Sequence, residues 1–200
     1  MKYVVRAETS DDNRDLTGAA RMELKLIEKQ VIFEGRMLRL EVHHLRDEAA
    51  NKRVFREVVV HPGAVVVLPF VDEQTIVLIR NRRYVVGQQL IELPAGTLEK
   101  TEPPMNCAGR ELLEETGYLA GKIKVIGNFF TSPGILTEKI YAFAAYDLQK
   151  QTQKLDEGED IELLQTSFTE ALDMIRHGEI TDAKTIATIL MYKEFGARVG

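Results

Sequence analysis

The sequence predicts an α+β fold, an α/β/α sandwich around a mixed sheet, with a small antiparallel sheet ahead of it. Three patterns carry that expectation. "GAVVVLPF" and "TIVLIR" are continuous apolar runs, as in strands covered on both faces. "MLRLEVHHL" alternates instead, with Leu38, Leu40 and Val42 on one face and Arg39, Glu41 and His43 on the other. Farther on, a segment with prolines at its start and a glycine at its end has the punctuation of a helix.

Residues 1–20 are polar and weakly patterned, an arm or a strand of unknown partner. From about Val31 the chain reads as β, and "RVFREVVV" follows the turn-like "DEAANK". Residues 1–60 are therefore expected to form an N-terminal arm with its small sheet, and 61–200 the main domain. "VDEQ", between the two apolar runs, reads as a hairpin turn, and "QQLIELPAG" as one short strand stopped by Pro94 and Gly96. Pro103 and Pro104 suit a first helical turn, where a missing N–H costs nothing, and Gly117 suits the left-handed position past the end, so the helix spans about 103–116. "KIKVIGNFF" and "KIYAFAAYDL" read as strands, and the polar "QKQTQKLDEGED" as a surface loop. Ser167 with Glu170 makes a capping box for a helix closed by Gly178, and Thr181 is the expected cap of the last helix, "AKTIATILMYKEF".

Composition narrows the class. The chain is 44% hydrophobic and 28% charged, an ordinary globular balance with enough apolar material for a core. A net charge of -5 gives no basic footprint for nucleic acid. Cys107 is the sole cysteine, which excludes an intramolecular disulfide and fits an ordinary core thiol. The first residues lack the apolar stretch of a signal peptide, and no apolar run reaches the length of a membrane span. A soluble cytoplasmic protein, without nucleic-acid or membrane partners, is expected.

The helix poses a problem. Glu111 and Glu115 are four residues apart, and Glu114 is three from Glu111, so all three carboxylates project from one face and repel. A solvated acidic face is the plain explanation. The chemical one is a divalent cation, since carboxylate oxygens are preferred ligands of Mg²⁺.

The surrounding residues decide for the second. Gly96, Glu102, Arg110, Glu111, Leu112, Glu114, Glu115, Gly117 and Tyr118 follow the spacing Gly, five residues, Glu, seven residues, Arg-Glu-apolar-any-Glu-Glu-any-Gly-apolar. At about 6% per fixed position, an accidental match in a chain of this length has odds of roughly one in 10⁷. The segment resembles the Nudix box of the Nudix hydrolases, which cleave nucleoside diphosphates linked to other moieties. That resemblance implies the Nudix fold and a loop–helix–loop holding two or three Mg²⁺ ions, with Mn²⁺ the alternative. The family's metal ligands map onto Glu111, Glu114, Glu115 and the carbonyl of Ala95. Gly96, Glu102, Arg110 and Gly117 would support the loop.

The flanks "FREVVVHPGAVVVLPF", "RRYVVGQQLIELPAG" and "FFTSPGILTEKIYAFAA" resemble the ADP-ribose pyrophosphatase subfamily, whose marker proline falls at Pro133, fifteen residues past Tyr118. The resemblance implies Arg56 and Arg83 at the nucleotide, Glu138 at a ribose hydroxyl, and a homodimer joined through the N-terminal sheet. It implies hydrolysis of ADP-ribose to AMP and ribose 5-phosphate. "RNRRY" has Arg82 where the subfamily often has an aromatic residue. GDP-mannose or another nucleotide sugar is the alternative substrate. A non-catalytic nucleotide-sugar sensor is disfavoured because every box carboxylate is present, and cleavage of oxidised nucleoside triphosphates by the "TSPG" marker. A general base is expected among Asp156, Glu157, Glu159 and Asp160; similarity to the subfamily singles out Glu157, with Glu159 in reserve as base or further ligand.

Overall fold

A computed structural model describes residues 23–155, 158 and 160–197. The expected N-terminal arm, residues 1–20, lies outside them. The chain divides into two compact units, Met1–Val59 and Val60–Gly200. In the first, β1 (Leu24–Glu34), β2 (Arg39–Asp47) and β3 (Lys52–Val60) form a three-stranded sheet, with β1 and β2 antiparallel. All eleven residues of β1 are exposed. Glu41 is buried on β2, where Arg39 Nε donates to it at 2.6 Å and His43 Nε2 lies at 2.7 Å.

The second unit contains β4 (Ala64–Pro69), β5 (Thr75–Arg83), β6 (Gln88–Glu92), β7 (Ala95–Thr97), α1 (Pro104–Thr116), β8 (Tyr118–Phe130), β9 (Lys139–Lys150), β10 (Ile161–Ser167), α2 (Phe168–Arg176) and α3 (Ala183–Phe195). One sheet has the order β7-β4-β9-β8 and is mixed, because β4 and β9 run parallel while the other pairs are antiparallel. The second is antiparallel, in the order β10-β5-β6.

Period-two alternation explains the continuous apolar runs. Val65 and Val67 of β4 pack with Cys107, Ala108 and Leu112 of α1. Ala64, Val66 and Leu68 face the other way, into a core with Ala171 of α2 and Ile189 of α3. A strand with helices on both faces has no position for a polar residue.

Three expectations need correction. "VDEQ" is a turn, with Asp72 Oδ1 accepting from Gln74 N and Thr75 N, but β4 and β5 do not form a hairpin ladder. They share only the bridge Phe70–Ile76 and then enter different sheets. "QQLIELPAG" is two strands, β6 and β7, because the chain changes sheets at Leu93–Pro94, where Pro94 O accepts from Val67 N at 2.9 Å. β10, in a stretch between the expected loop and the capping box, is a full strand against β5. The cap of α3 is Asp182 rather than Thr181: its carboxylate accepts from Thr185 N at 2.9 Å. The capping box at α2 is present, with Ser167 Oγ accepting from Glu170 N at 3.0 Å. No helix among the described residues is long and apolar enough to cross a membrane.

Candidate active site

α1 begins at Pro104, whose fixed backbone angle is already helical, and ends at Gly117, which takes the left-handed conformation at φ 67°. Leu112 and Cys107 are buried against the sheet, which turns the acidic face toward the loop before the helix. Arg110 organises that face. Its Nε and Nη2 fork onto the Glu102 carboxylate at 3.0 Å each. Its Nη1 lies 2.8 Å from Glu111 and 2.9 Å from Glu114. One guanidinium thus ties the loop to the helix and bridges two of the three helix carboxylates. Charge-assisted forks of this kind are the strong class of hydrogen bond. They hold the Glu102 carboxyl down at about 2, with burial opposing. The Arg110 pKa is raised in return, chiefly by Glu102.

The third carboxylate takes a different partner. Glu115 is buried, and Ala95 N–H donates to its Oε2 at 2.8 Å. Ala95 opens β7, paired with Val66, so the backbone at the start of β7 and the end of the helix meet there. Gly96 follows, and its lack of a side chain is required: a Cβ there would lie 2.0 Å from the Glu111 carboxyl carbon. Cys107 is buried one turn before Glu111, and burial first, then Glu102, pushes its thiol up to about 12. Tyr118, the last box position, is buried, and its hydroxyl accepts from Gln165 Nε2 at 2.8 Å.

The structure brings Ala95, Gly96, Glu102, Arg110, Glu111, Glu114, Glu115 and Gly117 together. Among the described residues no three Asp, Glu, His or Cys side chains form a closed metal-ligand set. Glu111 and Glu114 turn to Arg110, and Glu115 to Ala95. The donor set still fits a hard cation: three carboxylates on one turn, with a guanidinium already standing between two of them.

The other expected residues are spread more widely. Arg83 forks onto Glu92, with Nε to Oε1 at 2.8 Å and Nη2 to Oε2 at 2.7 Å. Glu138 accepts from Thr131 Oγ1 at 2.8 Å and lies 3.6 Å from His61 Nδ1. Pro133 is in the exposed turn before β9, where Ser132 O accepts from Leu136 N. Arg56, on β3 of the other unit, is exposed and donates to Phe55 O at 2.9 Å. Glu157 and Glu159 lie outside the described residues, as does Asp156.

Sequence reasoning missed a second charge cluster. Glu92 is fully buried, and besides Arg83 it accepts from Lys184 Nζ at 2.9 Å. Lys184 also donates to Asp182 at 2.7 Å. Burial pushes the Glu92 carboxyl up, but Arg83 and Lys184 outweigh it and hold it below its ordinary value. The available signal was a carboxylate inside the apolar "LIELP".

Comparisons agree with this geometry. Residues 60–188 match the family profile described as NUDIX domain. An ADP-ribose pyrophosphatase of Bacillus subtilis is 40% identical, over 84% of this chain and 91% of its own. A methanol dehydrogenase activator of Bacillus methanolicus is 38% identical over the same shares. A GDP-mannose pyrophosphatase of Escherichia coli is 41% identical over 62% of this chain and 69% of its own. A crystal structure of an ADP compounds hydrolase shares the fold at a TM-score of 0.78 and 19% identity, over 88% of this chain and 96% of that one. With the box geometry, the matched profile and relatives of this similarity in agreement, the chain belongs to the Nudix hydrolase family.

Proposed function

We propose that this protein hydrolyses the diphosphate bond of ADP-ribose, or of related ADP-sugars, to AMP and the sugar phosphate, with Mg²⁺ or Mn²⁺ bound at α1. One observation carries the reading: the carboxylates of Glu102, Glu111 and Glu114 gather on the single guanidinium of Arg110, with the buried Glu115 carboxylate next along the same helix face. The 40% identity to an ADP-ribose pyrophosphatase supports the substrate class.

Glu111, Glu114, Glu115 and the Ala95 carbonyl would hold two or three divalent ions. When bound, such ions neutralise a diphosphate and lower the pKa of a coordinated water. The chain's own groups do the rest. Arg110 and Glu102 keep the loop against the helix. Arg83 commits Nε and Nη2 to Glu92, and its Nη1 is the donor assigned to the substrate phosphate, with Arg56 toward the base. Glu138 accepts a ribose hydroxyl, steadied by Thr131, and Pro133 shapes the turn beside it. Glu157 takes the proton of the attacking water, with Glu159 in reserve.

A substrate panel of ADP-ribose, GDP-mannose, dinucleoside polyphosphates and NADH, read by phosphate release after phosphatase coupling, tests the reading. Fast turnover of GDP-mannose with none of ADP-ribose would move the protein to the second reading, which the E. coli relative supports. Hydrolysis in ¹⁸O water is expected to label AMP. Glu157→Gln should cost kcat about 10²–10⁴-fold with KM unchanged. Full activity there with a dead Glu159→Gln would reassign the base.

The reading includes a cytoplasmic homodimer without nucleic-acid or membrane partners. The exposed Ile27, Val31, Ile32 and Phe33 of β1 support burial against a second copy. A monomer by light scattering at micromolar concentration would refute that part.

A further inference from the structure

Helices leave their last carbonyls unpaired. At the end of α1, residues 150–154 supply donors to four successive ones. Lys154 N donates to Glu114 O at 2.9 Å, and Gln151 N to Gly117 O at 2.6 Å. Gln153 Nε2 donates to Glu115 O at 2.6 Å, and Lys150 Nζ to Thr116 O at 3.1 Å. Lys150 also stands 4.1 Å from the centre of the Tyr118 ring, its partner in the β8–β9 ladder.

The fit is close enough to explain Gly117 a second time. A Cβ there would meet Gln151 O at 2.7 Å and Gln153 N at 2.8 Å, so the strap passes only over a glycine. Glu115 is thereby held at both ends. Its main-chain carbonyl takes Gln153, and its carboxylate takes Ala95 N–H at 2.8 Å.

We propose that Gln153 is a positioning residue for the acidic turn: by holding the Glu115 carbonyl it sets the direction of the Glu114 and Glu115 carboxylates, and so their affinity for a divalent ion, without touching ion or substrate. The proposal rests on the metal reading above. Lys150 shares the task, but its removal would also delete a positive charge at the end of the acidic helix, which by itself favours cation binding. Gln153 is neutral, so its loss reports position alone. Groups that orient a ligand from outside the metal's own shell are part of such sites.

The test is Gln153→Met, close in shape and without a donor, with Mn²⁺ titrated by the EPR signal of the free ion. Binding should weaken about tenfold, as for other orienting groups. At limiting Mn²⁺ kcat should fall, and at saturating Mn²⁺ it should recover with KM unchanged. In metal-free protein the Ala95 amide resonance should move, since it reads the Glu115 carboxylate directly. Wild-type Mn²⁺ affinity with an unmoved Ala95 amide would overturn the proposal, as would a kcat that stays low at saturating Mn²⁺. Should the Met variant unfold, Gln153→His, which keeps an N–H donor, decides: wild-type affinity supports the proposal, and tenfold weaker affinity overturns it. Failure of the wild-type protein to bind Mn²⁺ is seen before any variant is made, and overturns the metal reading together with this one.

Discussion

The acidic turn of α1 and the cluster between β6 and α3 use the same side-chain chemistry with different charge balance. At α1 one guanidinium, Arg110, faces the carboxylates of Glu102, Glu111 and Glu114, with Glu115 adjoining. In the other cluster Arg83 and Lys184 face Glu92 and Asp182, two cations for two carboxylates. This more evenly matched set holds α3 to the sheet, and Arg83 also feels the charge of Glu115. The unbalanced one has surplus negative charge on a rigid helix, and surplus charge of one sign is what a cation and its anionic substrate can use.

The largest expected difference is in turnover. Glu115→Gln should lower kcat by ~10³-fold or more, beyond the 10- to 100-fold typical of groups outside a metal's own shell. EDTA should do the same to the wild-type enzyme, in a steady-state assay of AMP release. The metal-free variant should melt close to wild type, because glutamine keeps an oxygen that can accept from Ala95 N–H. Activity surviving both treatments would break the contrast from the catalytic side.

Glu92→Gln tests the other side. Its carboxylate is only 1% exposed, so removing its charge takes from Arg83 its forked ion pair and leaves Lys184 with Asp182. A loss of about 3 kcal/mol is expected from urea unfolding, the scale seen when one partner of a buried pair is removed. An unchanged midpoint would mean that the cluster is not the fastening it resembles.

A smaller effect sharpens the comparison through pH. Glu102 is held at about 2 by Arg110, below the ordinary carboxylate range. Its contribution to stability is complete above the unfolded value of about 4.3, and is lost as pH falls toward 2. Glu102→Gln should therefore flatten the acid limb of the stability curve in that window and leave the neutral region parallel. Smallest of all, Cys107 should stay unmodified by iodoacetamide at pH 8.5 in native protein and react in urea, since burial keeps the thiol protonated up to about 12.

The acidic helix was readable because its information is local. Pro104, Arg110, the three glutamates and Gly117 lie within fourteen consecutive residues, and helical spacing alone gathers them. The continuous apolar runs of β4 and β5 likewise announce two covered faces. What escaped was long-range. Glu92 and Lys184 are 92 residues apart, and nothing in either neighbourhood names the other. The change of sheets at Leu93–Pro94 has no periodic signature, since the five residues of β6 and the three of β7 are too short and neither alternates. β10 was hidden by the polar segment before it and the capping box after it. Thr181 and Asp182 are both good caps, and only tertiary placement selects Asp182, whose carboxylate serves Thr185 and Lys184 together.

The two-sided packing of β4 has a consequence for how this chain can change over time. Residues 65–68 of β4 are wholly enclosed, odd positions beneath the acidic helix and even ones beneath α2 and α3. A strand with one wet face can accumulate substitutions there without penalty; this one has no such face. Each exchange at Val65 or Val67 is felt by the helix that carries the glutamates, and each at Val66 or Leu68 by the helices that close the opposite layer. Drift should therefore concentrate elsewhere, on exposed turns such as residues 71–74, while "VVVL" admits little beyond exchanges among apolar residues of similar volume.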